Sequence, residues 1–164
     1  MTYRIVAGVD GSRHGNAALR WALDEAAARH GQVTAVFSWQ FPFLSIPGAF
    51  DREELEQAAK EFLIETVSAV APAPVVPVHT LVAEGDPAES LIAAAAEADL
   101  LVVGIRGRSP FAGLLLGSVS QRCAAGAPCP TVLVKMPGEK AAATVPGPIS
   151  RRAWSGLGHR GDTG

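Results

Sequence analysis

The chain has 164 residues, 48% of them apolar and 18% charged, and its formal net charge is −2. This length suits one domain with room for a substantial core, and the apolar share excludes a disordered chain. So nearly neutral a balance offers no global attraction to nucleic acid or to an anionic membrane, and neither is expected as a partner.

The opening residues, MTYRIVAGVDGS, carry one basic side chain and an apolar run too short for a signal peptide. The longest apolar candidate, residues 91–103, is interrupted by Glu97 and Asp99 and falls short of the roughly 18 residues that span a bilayer. A cytoplasmic protein is expected. Cys123 and Cys129 make neither a disulfide framework nor a C-x-x-C pair.

Residues 3–9, YRIVAGV, read as a first strand, apolar as a strand covered on both faces should be. Residues 10–15 supply a turn in which Ser12 is placed to cap the next helix. That helix, 16–30, sets Leu19, Ala22, Leu23 and Ala26 on one stripe. Trp21 is expected to pack it on the sheet, and Gly31 to end it as a left-handed glycine. A second strand, 33–39, leads to a loop at 40–49 that holds Pro42, Pro47 and Gly48, with Trp39 covering the strand's exit. The second helix covers 50–70 and is broken by Pro72, Pro74 and Pro77 before a third strand at 78–83. Asp86, Pro87 and Glu89 then form a capping box, and its helix runs through 90–97.

The fourth strand, 100–103, ends in the stretch GIRGRSPFAGLLLGS from Gly104 to Ser118. A strand, a glycine-cornered loop and a helix N-terminus together offer bare backbone N–H groups to an anion, so this stretch is expected to bind phosphate. A short helix follows over 119–125, and a last strand over 128–135. From residue 137 the chain turns rich in glycine and proline with little apolar periodicity, so residues 1–136 are read as one domain and 137–164 as a flexible tail.

The order β-α-β-α-β-α-β-α-β predicts an α/β fold with a parallel sheet and helices on both faces. Ligands of such sheets bind beyond the carboxyl ends of the strands, where strand order reverses. Asp10 and the glycine loop would share that crevice if the first and fourth strands are neighbours. The four histidines show no metal-ligand spacing. Cys129 is read as a buried structural thiol, and Cys123 as lying on a helix face.

Residues 3–135 resemble the universal stress protein family. The likeness rests on IVAGVDGS at 5–12 with the helix AALRWALDEA at 17–26, on GDPAESLIAAAAEADLLVVG at 85–104, and on APCPTVLVK at 127–135. It rests above all on the motif G-x2-G-x9-G-[ST], met by Gly104, Gly107, Gly117 and Ser118. The resemblance implies a Rossmann-like five-stranded sheet of order 3-2-1-4-5 and, because every motif position is present, binding of ATP with Mg²⁺ beside its phosphates. It implies that Gly8, Val9 and Asp10 meet the nucleoside, with Phe37 and Ser38 at the adenine and Val103 as an apolar wall. Gly104, Gly107, Gly117, Ser118 and Val119 would hold the phosphates.

For several of these residues a second reading stays open. Asp10 is either a ligand contact or the aspartate of an Asx turn. Arg106 and Arg108 either pair with phosphates or are solvated. Ser120 either assists Ser118 or is simply a helix-start serine. The resemblance also implies a homodimer through the last strand, residues 131–135, which would cover a sheet edge.

Hydrolysis needs a base or a water-orienting group near the γ-phosphate, and no Glu, Gln or His lies between Gly104 and Ser118. The expectation is therefore a non-enzymatic nucleotide-dependent stress or metabolic regulator, with at most slow ATP hydrolysis. The alternative is a protein-interaction module with no physiological nucleotide.

Overall fold

The computed structural model describes residues 2–40, 51–107 and 116–136. Five strands alternate with four helices: β1 (Arg4–Gly8), α1 (Arg13–Ala28), β2 (Gln32–Trp39), α2 (Arg52–Val70), β3 (Val78–Glu84), α3 (Pro87–Ala94), β4 (Leu100–Gly104), α4 (Ser118–Gly126) and β5 (Thr131–Val134). A single 3-10 turn, Ala95–Glu97, closes α3. All four strand pairs are parallel, in the order β3-β2-β1-β4-β5. The expected fold is thus the observed one.

Alternation along β1 divides the core. Ile5, Ala7 and Val9 face α1 and α2, where Leu19, Ala22, Leu63 and Val67 close the layer. Val6 faces α3 and α4, with Leu91, Leu101 and Cys123. β1 and β4 bury both faces, so their sequences are unbroken apolar runs rather than alternating ones. Because β1 and β4 pair in parallel, the loops after them lie side by side at the carboxyl end.

Three local expectations are corrected. α1 ends in a Schellman arrangement, with Gly31 N–H on the Ala26 carbonyl at 2.8 Å and His30 N–H on Ala27 at 3.4 Å. The left-handed residue is His30, at φ 54°. Gly31 is required for a different reason: a Cβ there would run into the Tyr3 carbonyl oxygen. Trp21 does not pack α1 on the sheet; it is 36% exposed, because the buried stripe is filled by alanines and leucines on the far side of the helix. Cys129, expected to be buried, is only partly so, whereas Cys123 lies on α4 as expected, on its fully buried face.

The tail reading for 137–164 and most of the loop at 40–49 lie outside the described residues. Among the described residues, no helix is long and apolar enough to cross a membrane.

Candidate functional site

At the carboxyl end of β1 the chain turns through Asp10. Its Oδ1 accepts the Ser12 N–H at 2.9 Å, and Ser12 Oγ accepts the Gly15 N–H at 3.0 Å to cap α1. Asp10 thus does make the Asx turn, and it lines a cleft as well. Its carboxylate is wedged between two glycines: a Cβ at Gly15 would collide with Oδ1, and one at Gly107 would lie 2.6 Å from Oδ2. Asp10 therefore sets the spacing between the first turn of α1 and the loop after β4.

That loop leaves β4 at Gly104, where an added Cβ would lie 2.7 Å from the His14 backbone carbon. Helix–strand packing therefore requires a glycine at 104 in its own right, beside the phosphate approach expected of it from the sequence. Gly117 differs, since a Cβ there finds only ordinary contacts at 3.5–3.6 Å. Its N–H bonds the Ile105 carbonyl at 2.8 Å, and it sits at the N-cap of α4 at φ −70°, ψ 157°, with no side chain capping the helix. The first intrahelical bond runs from Gln121 N–H to the Gly117 carbonyl at 3.0 Å. The amides of Ser118, Val119 and Ser120 precede it, so they belong to the orphan donors of a helix start, where the dipole favours an anion. Ser120 is 3% exposed, and its hydroxyl donates to the carbonyls of Gly104 at 2.8 Å and Ile105 at 3.0 Å. It fastens α4 to the exit of β4.

Across β1, β2 runs on past the last β1 rung, the Val9 N–H to Val36 carbonyl bond at 2.9 Å. Both backbone groups of a residue in a parallel strand point to one side, and the side alternates. The amide and carbonyl of Ser38 therefore face the same way as those of Val36, beyond the end of β1. The Ser38 hydroxyl is engaged elsewhere, 3.0 Å from the Gly85 carbonyl and 3.0 Å from Ser90 Oγ. The Phe37 ring meets Phe62 of α2, with centroids 4.8 Å apart and a tilt of 51°.

These features enclose one cleft of about 450 Å³, within the range of small-molecule sites. Gly8, Val9, Asp10, Phe37, Ser38, Val103, Gly104, Arg106, Gly107, Gly117, Ser118, Val119 and Ser120 all line it. Arg108 lies outside the described residues. Sequence reasoning missed Gly15, Val36, Trp39, Gln40, Pro87 and Leu91, which also line it. The capping box was the available signal: it marks a helix N-terminus at the carboxyl end of the sheet, and Leu91 lies one turn below Pro87.

A second hollow, about 320 Å³, lies at the opposite end of the strands between Arg4, Gln32 and a run of alanines. Its one cationic lining group pairs with Glu97 at 3.1 Å, and the carboxyl-end cleft is the better site on chemistry.

Among the described residues no group of three or more His, Cys, Asp or Glu side chains could hold a metal ion. Burial pushes the Cys123 thiol up to about 11, so it is protonated at neutral pH and is no nucleophile.

An open parallel sheet with its cleft at the strand-order reversal, floored by glycines and bounded by a helix start, is a Rossmann-like fold with a cleft where ligands of such sheets bind. Residues 1–135 match the universal stress protein family, and the chain belongs to it. A universal stress protein of Mycolicibacterium smegmatis is 36% identical over 132 residues, 80% of this chain and 45% of that one. The chain thus spans about half the length of several mycobacterial relatives that it matches. The Thermus aquaticus universal stress protein from the QAH/OAS sulfhydrylase 3′ region is 36% identical over 137 residues, 80% of this chain and 97% of that one.

Two solved structures share the fold. A universal stress protein in complex with cAMP aligns with TM-score 0.65 and 24% identity over 81% of this chain and 97% of its own. One from Archaeoglobus fulgidus in complex with dAMP aligns with TM-score 0.61 and 21% identity over 82% and 98%.

Proposed function

We propose that the cleft binds an adenine nucleotide, ATP with Mg²⁺ in its fullest form, and that the protein acts as a nucleotide-dependent stress or metabolic regulator in the cytoplasm rather than as an efficient enzyme. The observation that carries this reading is the convergence of two unlike backbone surfaces on one cleft. The Ser38 amide and carbonyl offer a donor and an acceptor to a flat base, and the start of α4 offers amides to an anion. Apolar Val9, Val103 and Leu91 lie between them. The cAMP and dAMP complexes of structural relatives support the same ligand class.

Arg106 supplies the cationic side chain among the described lining residues. With no protein cage for a cation among those residues, Mg²⁺ would be carried by phosphate oxygens and water, its usual mode. Charge neutralisation of a triphosphate would then fall to the ion, Arg106 and the helix start. Hydrolysis would lack a base on the described part of the loop, so turnover is slow or absent. Among the described residues β5 is a sheet edge, and residues 131–135 would pair there with a second copy.

Calorimetric titration of the purified protein with adenosine, AMP, ADP and ATP, with and without Mg²⁺, tests the reading. Saturable binding that weakens at least tenfold in Gly117→Ala is expected. Affinity unchanged by that substitution would remove the loop from the site. No heat at millimolar nucleotide would favour an interaction module of the same fold.

A further inference from the structure

The start of α4 is tied to the rest of the molecule on two opposite sides. On the inner side, Ser120 donates to the Gly104 and Ile105 carbonyls. On the outer side, two residues or about 200° further round the helix, Arg122 reaches across to α3. Its Nη1 lies 2.8 Å from both Oδ1 and Oδ2 of Asp86, and its Nη2 lies 3.4 Å from Glu89 Oε1.

Asp86 is itself held. Its Oδ1 caps α3 on the Glu89 N–H at 3.0 Å, and its carbonyl accepts from Ser90 Oγ at 2.9 Å. Ser90 in turn touches Ser38 Oγ at 3.0 Å. The Glu89 N–H first, and the Arg122 guanidinium second, hold the Asp86 carboxyl below the usual carboxylate range. Arg122 is not among the residues that line the cleft.

We propose that Arg122 is a positioning residue for the anion end of the cleft: through Asp86 it fixes the tilt of α4, and so the aim of the Ser118 and Val119 amides. The proposal rests on the nucleotide reading of that cleft. Ser120, the Gly117 N–H and the buried Cys123 hold the inner face of this nine-residue helix, and the Arg122 tie on the opposite face limits the rocking that remains at its first turn. Hydrogen bonds weaken steeply as the donor leaves the line to its acceptor, so rocking would cost phosphate affinity. It would leave the base end at Ser38 nearly untouched, because Ser38 and Ser90 hold that wall independently of α4.

The test compares adenosine with AMP on the full chain by calorimetry. Arg122→Ala is expected to raise the AMP dissociation constant about threefold to fivefold, the scale of a solvent-accessible ion pair. The adenosine constant should stay within about twofold. Asp86→Asn keeps the helix cap, since asparagine caps as well as aspartate, yet loses the charged pair; it should match Arg122→Ala, and the double variant should lose no more than either single one. Arg122→Lys should recover part of the AMP affinity.

Equal losses for adenosine and AMP, no loss for AMP, or multiplicative losses in the double variant would each overturn the proposal while leaving the nucleotide reading intact. Wild-type protein that binds neither ligand would overturn both, and that shows before any variant is made.

Discussion

Gly104 and Gly117 belong to one motif, yet the structure gives them different work, and alanine at each position separates the two. At Gly104 the new Cβ would lie 2.7 Å from both the backbone carbon and the Cβ of His14, and 2.9 Å from its carbonyl oxygen. Two of these are main-chain atoms of the first turn of α1 and the third is bonded directly to it, so none can swing away like the end of a long side chain. Overpacking of this kind costs about 1–3 kcal/mol, and the entropy that alanine removes from the unfolded chain returns only about 0.4–1 kcal/mol. The balance is a loss of about 1–2 kcal/mol, or a fall in melting temperature of roughly 3–8 °C for a domain of this size. At Gly117 the added Cβ meets ordinary contacts at 3.5–3.6 Å, and the backbone is already in an extended conformation. The entropy gain there is offset by alanine's poor N-cap preference, so stability should stay within about 1 kcal/mol of the parent. Urea denaturation with parallel nucleotide titration measures both quantities. Gly104→Ala should lose stability; Gly117→Ala should keep its stability and lose affinity. If Gly104→Ala is as stable as the parent, or Gly117→Ala unfolds like Gly104→Ala, the division of labour is wrong.

Ser120→Ala removes the donor that serves two carbonyls at a 3% exposed position; a loss of about 1–3 kcal/mol is expected by denaturation, and a change below a few tenths would mean that water replaces the hydroxyl. His30→Gly relieves the left-handed backbone at φ 54° and should stabilise the protein by about 1 kcal/mol, read as a raised melting temperature; an unchanged or lower value would show that the His30 side chain contributes contacts of equal worth. Burial raises the Cys123 thiol from 9.0 to about 11, so between those values the unfolded chain ionises while the folded one does not. Stability should therefore fall as pH rises from about 9 to 11, and this contribution should vanish in Cys123→Ala; a slope that survives that substitution belongs to another group.

The architecture was legible because β1 and β4 are unbroken apolar runs and two helices begin at recognisable caps, Ser12 and Asp86; the Asp51 cap of α2 went unread, and α4 starts at Gly117 without one. Those signals are local, and so is the information that carries them. The misreadings were of contacts between distant segments. Gly31 looks like a helix terminator, but its requirement comes from Tyr3, nearly thirty residues earlier, and the left-handed residue is its neighbour His30. Likewise, nothing near Gly104 tells that His14 will press against it. Trp21 was expected on the sheet for its size, outside the periodic stripe, yet α1 meets the sheet through that stripe of alanines and leucines and leaves Trp21 on another side.

The site divided along the same line. The loop glycines and Asp10 were visible as sequence-local punctuation. Leu91, Pro87 and Val36 came into the cleft only through the way α3 crosses the sheet. The pairing of Arg122 with Asp86 spans thirty-six positions, a separation that no local pattern reveals.

The central claim is that one cleft holds both ends of an adenine nucleotide. Amide chemical shifts of the full-length protein, followed through a titration with AMP, test it most directly. The account predicts saturable shifts at Ser38 and at Gly107, Gly117, Ser118 and Val119 together, fitting one dissociation constant, while residues around Arg4 and Ala93 stay still. Shifts confined to the Arg4 hollow, or none at millimolar AMP, would contradict it.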